Sequence, residues 1–315
     1  MDIIVLDDYQ HVALQMADWS RLQAQGRVEA CGDHIADSDE LVERLSPYDV
    51  VVLMRERTAL PAHVIDRLPR LRLVVTTGRR NPVLDLDACR RRGIVVCNTT
   101  SPAGSTVEHT WALLLGLCRH LVEEATNVRE GRWQSSLGGD LAGKTLGILG
   151  LGRIGSEVAK VGRAFGMDVV AWSRSLTPER AAEADVEAAS FDDVLARADV
   201  VTIHLVLGEE TRGLLGERQL RAMKPGALLV NTSRGPIVDT GALVAALEDG
   251  HLGGAAVDVF DTEPLPADHP LRRAPTLLAT PHIGYVTERV YRVFYGEAVE
   301  DIEAFLAGAP VRRID

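Results

Sequence analysis

Short runs of apolar residues alternate with longer amphipathic stretches along almost the whole chain. The runs have the length of buried strands, and the stretches between them have the apolar spacing of helices. Alternation of this kind is typical of parallel sheets that are covered by helices on both faces. The predicted strands are Ile3–Leu6, Val28–Ala30, Val50–Met54, Leu73–Thr76, Ile94–Cys97, Thr145–Leu149, Val169–Trp172, Val200–His204, Leu228–Asn231, Gly254–Val259 and Thr276–Ala279.

The pattern predicts an α/β protein with two doubly wound parallel-sheet domains. A chain of 315 residues is long for a single hydrophobic core, so two domains are expected. The first five strands predict a flavodoxin-like unit of about 100 residues, a common domain size. A long helix is predicted over Ser105–Glu124, ahead of the second unit. A last helix, over Glu288–Ala307, has no strand after it and is expected to pack back on the first unit.

Composition and charge narrow the classes of function. The net charge of −11 is unfavourable for nonspecific binding to nucleic acid or anionic membranes. No apolar run approaches the roughly 20 residues of a membrane span, and the acidic N-terminus does not resemble a signal peptide. The four cysteines are scattered without a CxxC pair, which argues against a zinc site or a disulfide framework. We expect a cytoplasmic protein with no metal, nucleic-acid partner or membrane partner.

The most informative motif is a set of three glycines, Gly150, Gly152 and Gly155, that follows the strand Thr145–Leu149 and opens a predicted helix over Ser156–Phe165. In this context the first glycine forms a tight turn and the second lets the backbone approach a pyrophosphate. The third lets the helix pack against the strand. The helix N-terminus supplies N–H groups and partial positive charge to phosphates. The motif therefore predicts a dinucleotide site.

Three later segments follow strands, at the sheet edge where ligands bind in open α/β folds. The segments are Asn231–Gly235, Asp258–Pro264 and Thr280–Gly284. Arg234 presents a planar fork for a carboxylate and a carbonyl oxygen. His282 can give a proton to a developing alkoxide, and Glu263 beside it is expected to hold the ring and raise its pKa. This set predicts reduction of a 2-keto acid beside a nicotinamide.

With these four motifs, the chain resembles the D-isomer-specific 2-hydroxyacid dehydrogenase family over nearly its whole length. The resemblance implies that Arg234 binds the substrate, Glu263 supports the histidine and His282 is the acid/base. The expected cofactor-binding residues are Thr106, Gly150, Gly152, Arg153, Ile154, Gly155, Ser173, Arg174, His204, Thr232, Ser233, Asp258 and Gly284.

The resemblance also implies a domain organisation and an assembly. Residues 1–98 plus 285–315 are expected to form a flavodoxin-like substrate domain. Residues 99–284 are expected to form an inserted Rossmann-type dinucleotide-binding domain. Family members usually dimerise through the cofactor domain, so we expect a homodimer.

The choice of cofactor depends on the end of the second strand of the Rossmann-type unit. NAD sites usually have an acid there, whereas this chain has Ser173, Arg174 and Ser175. An arginine flanked by hydroxyls suits a ribose 2′-phosphate. The arrangement resembles that of NADPH-preferring glyoxylate/hydroxypyruvate reductases in the family. We expect NADP(H) to be favoured, and NAD(H) is the alternative if Arg174 points to solvent.

The substrate loop departs from the family pattern. Family members usually have a glycine-rich loop whose N–H groups bind the substrate carboxylate, and Gly78 lies at the equivalent place. Arg79 and Arg80 are not part of that pattern, and Arg55 follows a neighbouring strand. The expected substrate-binding residues are Arg55, Gly78, Arg79 and Arg234. The extra cations favour a larger or doubly anionic substrate, unless some of them pair with Glu56 or Asp85.

Three functions remain open from the sequence. The leading hypothesis is an NADPH-dependent reductase of 2-keto acids that makes D-2-hydroxy acids. The second is an NAD-dependent dehydrogenase of the D-3-phosphoglycerate type, working in the oxidative direction. The third is a dinucleotide-sensing corepressor, because such relatives of this fold retain the catalytic residues.

Overall fold

The computed structural model describes residues 1–314, so residue 315 of the predicted segment 285–315 lies outside the described residues. The strands are β1 (Ile3–Val5), β2 (Val28–Ala30), β3 (Val50–Leu53), β4 (Leu73–Thr76), β5 (Val95–Asn98), β6 (Thr145–Leu149), β7 (Asp168–Trp172), β8 (Glu187–Ala188), β9 (Val200–Ile203), β10 (Leu228–Asn231), β11 (Gly254–Val257) and β12 (Leu277–Ala279). The helices are α1 (Ala13–Met16), α2 (Ser20–Gln23), α3 (Ser38–Leu45), α4 (Ala62–Ile65), α5 (Leu86–Arg92), α6 (Gly104–Cys118), α7 (Leu121–Arg129), α8 (Arg153–Ala164), α9 (Pro178–Glu183), α10 (Phe191–Arg197), α11 (Glu217–Ala222), α12 (Thr240–Glu248) and α13 (Glu288–Leu306).

The chain divides into two compact units. The first consists of Met1–Pro102 and the C-terminal segment from Val286, and the second is Ala103–Tyr285. Each unit contains its own parallel sheet, so the predicted fold class is confirmed.

The first unit has a five-stranded parallel sheet in the order β2-β1-β3-β4-β5. This is the flavodoxin-like order of doubly wound folds. The middle strands β3 and β4 are buried along their whole length, because helices cover both faces. The C-terminal helix α13 packs against β4 and β5, as the sequence predicted for a helix without a following strand.

The second unit has a seven-stranded parallel sheet in the order β12-β11-β10-β9-β6-β7-β8. Strands β6 to β11 follow the Rossmann order, and β12 extends one edge of the sheet. The order reverses between β6 and β9, which pair with each other. Loops that leave β6 and β9 therefore diverge, and ligands of open α/β sheets bind at this switch point.

The predicted helix over Ser105–Glu124 is wrong as a single element. The structure has α6 and α7 in its place, separated at Arg119 and His120. His120 has φ of 48°, a left-handed conformation that ends a helix. Helix α6 is largely buried and apolar, whereas α7 is mostly exposed, so the two halves of the predicted helix have different surroundings.

Within residues 1–314, no helix combines the length and the apolarity that are needed to cross a bilayer.

Candidate active site

The three motif glycines meet three different steric demands. Gly150 has φ of 105°, and a Cβ there would lie 2.6 Å from the carbonyl oxygen of His204. A Cβ on Gly155 would lie 2.1 Å from the carbonyl oxygen of Gly150, so only glycine lets α8 approach the loop this closely. In contrast, a Cβ on Gly152 would meet nothing within 4 Å. Gly152 therefore borders open space at the start of α8, where a pyrophosphate would fit.

The two residues between Gly152 and Gly155 in the motif lie in the first turn of α8. Arg153 is exposed, and Ile154 packs against the core of the second unit. Ser173, directly after β7, accepts a hydrogen bond from the N–H of Leu151 at 2.7 Å. This bond ties the end of the second strand to the glycine loop.

Arg174 forms an ion pair with Glu210, which lies in the loop after β9. The end of β7 itself has no acid, and the structure brings one from a different loop. Arg174 is paired with Glu210 and is also largely exposed to solvent.

His204 closes the other side of the glycine loop. Its backbone lies against Gly150, and its Nε2 is 3.0 Å from the hydroxyl of Thr202. Burial lowers the pKa of His204 to about 3, so the ring is neutral at ordinary pH. It can contact a ligand as a neutral imidazole only.

Arg234 is carried by a loop that is fixed at several points. The Asn231 side chain accepts from the N–H of Ser233 and donates to the carbonyl oxygen of Arg234, both at 3.0 Å. Ser233 Oγ donates to the carbonyl oxygen of Ile203 at 3.0 Å. A Cβ on Gly235 would lie 2.0 Å from the carbonyl carbon of Phe260, so the loop abuts the segment after β11.

That segment and the one after β12 bring Glu263 and His282 together. His282 Nδ1 lies 2.6 Å from Glu263 Oε2, and Glu263 Oε1 accepts from the N–H of Phe260 at 2.9 Å. The Tyr285 ring and the imidazole are nearly perpendicular, with 5.3 Å between their centroids. Because Nδ1 is bonded to the carboxylate, Nε2 is the nitrogen that remains for proton transfer.

Asp258 holds the turn on which His282 is carried. It is 1% exposed and accepts from the N–H groups of Ile283 at 2.9 Å and Gly284 at 2.8 Å. The hydroxyl of Thr280 donates to it at 2.6 Å, and His109 Nε2 lies 3.2 Å away. Burial alone would raise the pKa of Asp258, but these hydrogen bonds hold it below its usual range. The turn is thus anchored by a charged, satisfied carboxylate.

Two further predicted cofactor residues lie around this anchor. Thr106 Cγ2 would be 3.8 Å from a Cβ placed on Gly284, so the start of α6 borders the same turn. The hydroxyl of Thr232 lies 2.9 Å from that of Thr110, one helical turn further along α6. All predicted catalytic and cofactor residues therefore belong to the second unit, near the carboxyl edge of its sheet.

The predicted substrate residues of the first unit follow β3 and β4. Gly78 has φ of 85°, a left-handed conformation that favours glycine, and the guanidinium of Arg55 lies beside it. The N–H of Gly78 donates to the hydroxyl of Thr99 at 2.8 Å. This N–H is therefore engaged within the first unit, and substrate binding by Gly78 stays a prediction.

The arginines of this edge differ in their surroundings. Arg55 Nε lies 3.6 Å from Glu56 Oε2, so one of the two pairings considered from the sequence is present. Asp85 instead caps α5. Arg79 and Arg80 are exposed, and their backbone N–H groups have no acceptor among residues 1–314.

A cavity of about 330 Å³ lies at the opposite, amino-terminal edge of the second sheet. Lys144 and Lys224 line it, and Lys224 Nζ pairs with Asp199 at 3.1 Å. None of the predicted site residues borders this cavity. Lysines suit this edge because the helices of the unit end there, with the negative ends of their dipoles.

Sequence reasoning missed three residues that complete the site. In the sequence alone His109 has the features of a structural or cofactor-lining histidine, Thr280 is only part of a motif, and Glu210 belongs to no motif. The rule that ligands bind at the carboxyl ends of strands flags Glu210, which follows β9 at the switch point. His109 is far from Asp258 in the chain, so its contact was not visible without the fold.

Comparisons with known proteins agree with this geometry. Residues 111–284 match the model of the D-isomer specific 2-hydroxyacid dehydrogenase NAD-binding domain. A glyoxylate reductase from Aeropyrum pernix is 42% identical over 83% of this chain and 84% of its own length. The crystal structure of a phosphoglycerate oxidoreductase from Vibrio cholerae superposes with a TM-score of 0.93 at 36% identity, covering 98% of this chain and 100% of that one.

The chain belongs to the D-isomer specific 2-hydroxyacid dehydrogenase family, a family of oxidoreductases, and it contains the family's NAD-binding domain. A D-3-phosphoglycerate dehydrogenase from Bacillus subtilis is 37% identical over 90% of this chain. The match covers 54% of that relative, so this chain spans about half the length of that protein.

Proposed function

We propose that this protein reduces small 2-keto acids to D-2-hydroxy acids, with His282 as the acid/base. The observation that carries the proposal is the 2.6 Å contact between His282 and Glu263, on a turn anchored by Asp258. A nicotinamide cofactor supplies the hydride when it is bound. The residues of the chain must then bind the keto acid, orient it and deliver a proton to the oxygen that was the carbonyl.

Each residue of the set has one role in this proposal. His282 Nε2 donates the proton, and Glu263 keeps the ring oriented through its contact with Nδ1. Arg234 binds the substrate carboxylate and carbonyl oxygen with its planar fork, so it aligns the carbonyl and stabilises the charge that develops on oxygen. In the reverse direction His282 accepts the proton from the hydroxyl group.

The glycine loop would hold the pyrophosphate of the dinucleotide. Support comes from the open space beside Gly152 and from the close packing at Gly150 and Gly155, which keeps the N-terminus of α8 exposed. At the end of β7, Arg174 would hold a ribose 2′-phosphate, and this favours NADP(H) over NAD(H).

The loop after β4 is proposed to bind an anionic group at the carboxyl edge of the first sheet. The backbone N–H groups of Arg79 and Arg80, rather than that of Gly78, are the candidate donors for a carboxylate. Arg79 adds an exposed positive charge to this edge, whereas Arg55 is paired with Glu56. This charge favours one alternative, a doubly anionic substrate of the D-3-phosphoglycerate type used in the oxidative direction.

We further propose that the protein is a homodimer. Helix α7 and the segment after it expose large apolar side chains, which mark an interface when they cluster. These side chains are Leu121, Val122, Val128, Trp133 and Leu137. The mass of the protein in light scattering tests the proposal, and Val122→Asp should shift a dimer toward monomer.

The activity is tested by following the oxidation of NADPH and NADH with a panel of keto acids. The panel contains glyoxylate, hydroxypyruvate, pyruvate, phenylpyruvate and 2-ketoisocaproate, with D-3-phosphoglycerate and NAD assayed in the reverse direction. Turnover that is faster with NADPH supports the proposal in full. Bound nucleotide without turnover of any substrate would contradict it and favour the sensor hypothesis.

A further inference from the structure

Two loops bring opposite charges together beside the candidate dinucleotide site. Arg174 follows β7, Glu210 follows β9, and their side chains form an ion pair. Strands β7 and β9 flank β6 on its two sides, so the two loops border the glycine loop from either side. The pair therefore lies at the end of the second strand of the Rossmann-type sheet. Residues at this place distinguish a ribose 2′-hydroxyl from a ribose 2′-phosphate.

Both partners are carried by anchored backbone. Arg174 follows Ser173, whose hydroxyl is bonded to the N–H of Leu151. Glu210 precedes Thr211, which is 5% exposed and accepts from the N–H of Gly208 at 2.8 Å. The same Thr211 hydroxyl donates to the carbonyl oxygen of Val206 at 2.8 Å. The loop after β9 thus presents Glu210 from a fixed position.

The two charged side chains themselves are open to solvent. Arg174 is 63% exposed and Glu210 is 67% exposed. Ion pairs at such exposure are weak, because water screens the charges and the long side chains lose freedom when they pair. A stronger anion with several acceptor oxygens is therefore able to displace the carboxylate from the guanidinium.

We propose that Glu210 is a specificity-determining residue whose carboxylate competes with a ribose 2′-phosphate for Arg174. A 2′-phosphate must displace Glu210 and then remain near its negative charge, whereas an unphosphorylated ribose meets no such cost. Glu210 therefore lowers the affinity for NADP(H) without abolishing it, and it brings the affinities for the two cofactors closer together. This inference rests on the proposed dinucleotide function of the glycine loop.

The test is the dissociation constants of NADPH and NADH, measured by fluorescence titration of the full chain and its variants. Glu210→Gln keeps the shape of the side chain and removes its charge. We expect the variant to bind NADPH about three- to fivefold more tightly, with NADH unchanged, and the gain should shrink as salt is added. Glu209→Gln is the matched control, because it makes the same charge change one residue away and should give a smaller gain.

Several results would overturn the inference. Unchanged or weaker NADPH binding by Glu210→Gln would contradict the inference. An equal gain in NADPH affinity for Glu209→Gln would also contradict it, because it would indicate an effect of net charge alone. When Arg174 is also replaced by alanine, Glu210→Gln should give a smaller gain in NADPH affinity. An undiminished gain would contradict competition for that arginine.

The same titrations separate this inference from the proposed function. Tighter binding of NADH than NADPH by the unmodified protein would contradict the proposed preference for NADP(H). A selective gain for NADPH in Glu210→Gln would still support the role of Glu210. If the unmodified protein binds neither nucleotide, the proposed function and this inference both fail.

Discussion

The two sheets of this protein end differently at their carboxyl edges. In the second unit, Glu263 and His282 are 2.6 Å apart, and the turn between Thr280 and Gly284 is held by the carboxylate of Asp258. In the first unit, Arg79 is exposed on a loop whose backbone donors are only partly engaged. Preorganised groups suit chemistry, and less constrained cations suit recognition of anions. The difference supports the proposal that the reaction takes place at the carboxyl edge of the second sheet.

The units also differ in how they hold a buried aspartate. Asp258 accepts from two backbone N–H groups and a hydroxyl, and its pKa lies below the usual range. Asp301 on α13 is fully buried, and Arg312 Nε donates to one of its oxygens at 2.9 Å. Its other oxygen has no hydrogen-bond partner among residues 1–314, and burial raises its pKa to about 7. The number of donors, rather than burial, decides whether a buried carboxylate stays charged.

A substitution at the carboxyl edge of the second sheet should have the largest effect on activity. Arg234→Ala removes the guanidinium that is proposed to bind the substrate, so we expect kcat/KM for the keto acid to fall about 1000-fold, by analogy with the loss of an oxyanion donor. Steady-state kinetics at saturating cofactor measure this. Arg218→Ala on the exposed face of α11 is the control and should leave kcat/KM unchanged. A variant that changes only cofactor affinity would contradict the role given to Arg234.

Substitutions at the carboxyl edge of the first sheet should change substrate binding rather than turnover. Arg79→Ala is expected to raise KM about fivefold for a doubly anionic keto acid such as oxaloacetate, because an exposed charge contributes modestly. KM for 2-ketobutyrate and kcat should change little. Arg91→Ala, on the exposed side of α5, controls for net charge. Equal effects on both substrates would remove Arg79 from recognition of a second anion.

A smaller effect is expected from loosening the anchor of the histidine turn. Thr280→Val removes a hydrogen bond to Asp258 without changing side-chain shape much, and we expect a loss of stability of about 1–2 kcal/mol. The midpoint of urea unfolding measures it. Thr280→Ser retains the hydroxyl and should retain most of the stability. If serine and valine cause the same loss of stability, the hydrogen bond to Asp258 does not account for that loss.

A separate expected effect is a dependence of stability on pH that comes from Asp301. Its pKa is 3.8 in the reference state and about 7 in the fold, so the folded state holds the proton more tightly. The stabilisation this gives is complete below pH 3.8 and is lost as pH rises through about 7. The urea midpoint should therefore fall with pH in this window more steeply than in Asp301→Asn. Parallel pH profiles of the urea midpoint for the unmodified protein and Asp301→Asn would contradict the raised pKa. The control is Asp268→Asn at an exposed position, whose profile should match that of the unmodified protein.

The parts of the fold that depend on local pattern were predictable from the sequence. The strand over Thr145–Leu149 and the glycine turn after it were predicted because apolar runs and glycine spacing are local signals. The helix predicted over Ser105–Glu124 was wrong because its apolar pattern continues through His120, where the backbone turns left-handed. The two-residue edge strand Glu187–Ala188 has too few residues to show a pattern.

The candidate site was predictable as a set of residues but not as a network. Arg234, Glu263 and His282 follow strands, so the carboxyl-edge rule groups them without a structure. The contact of His109 with Asp258 joins residues 149 positions apart, and the pair of Arg174 with Glu210 joins two loops. Such contacts depend on strand order, which a single sequence does not specify.

The most direct test of the account is keto-acid-dependent oxidation of NADPH by the unmodified protein and by His282→Gln, with the NADPH dissociation constant measured on the same samples. We predict that turnover falls by a factor of about 100 to 10,000, the range for loss of a general acid, while NADPH binding stays nearly the same. Turnover that persists in His282→Gln, with NADPH binding unchanged, would contradict the assignment of the reaction to this histidine and its edge of the second sheet.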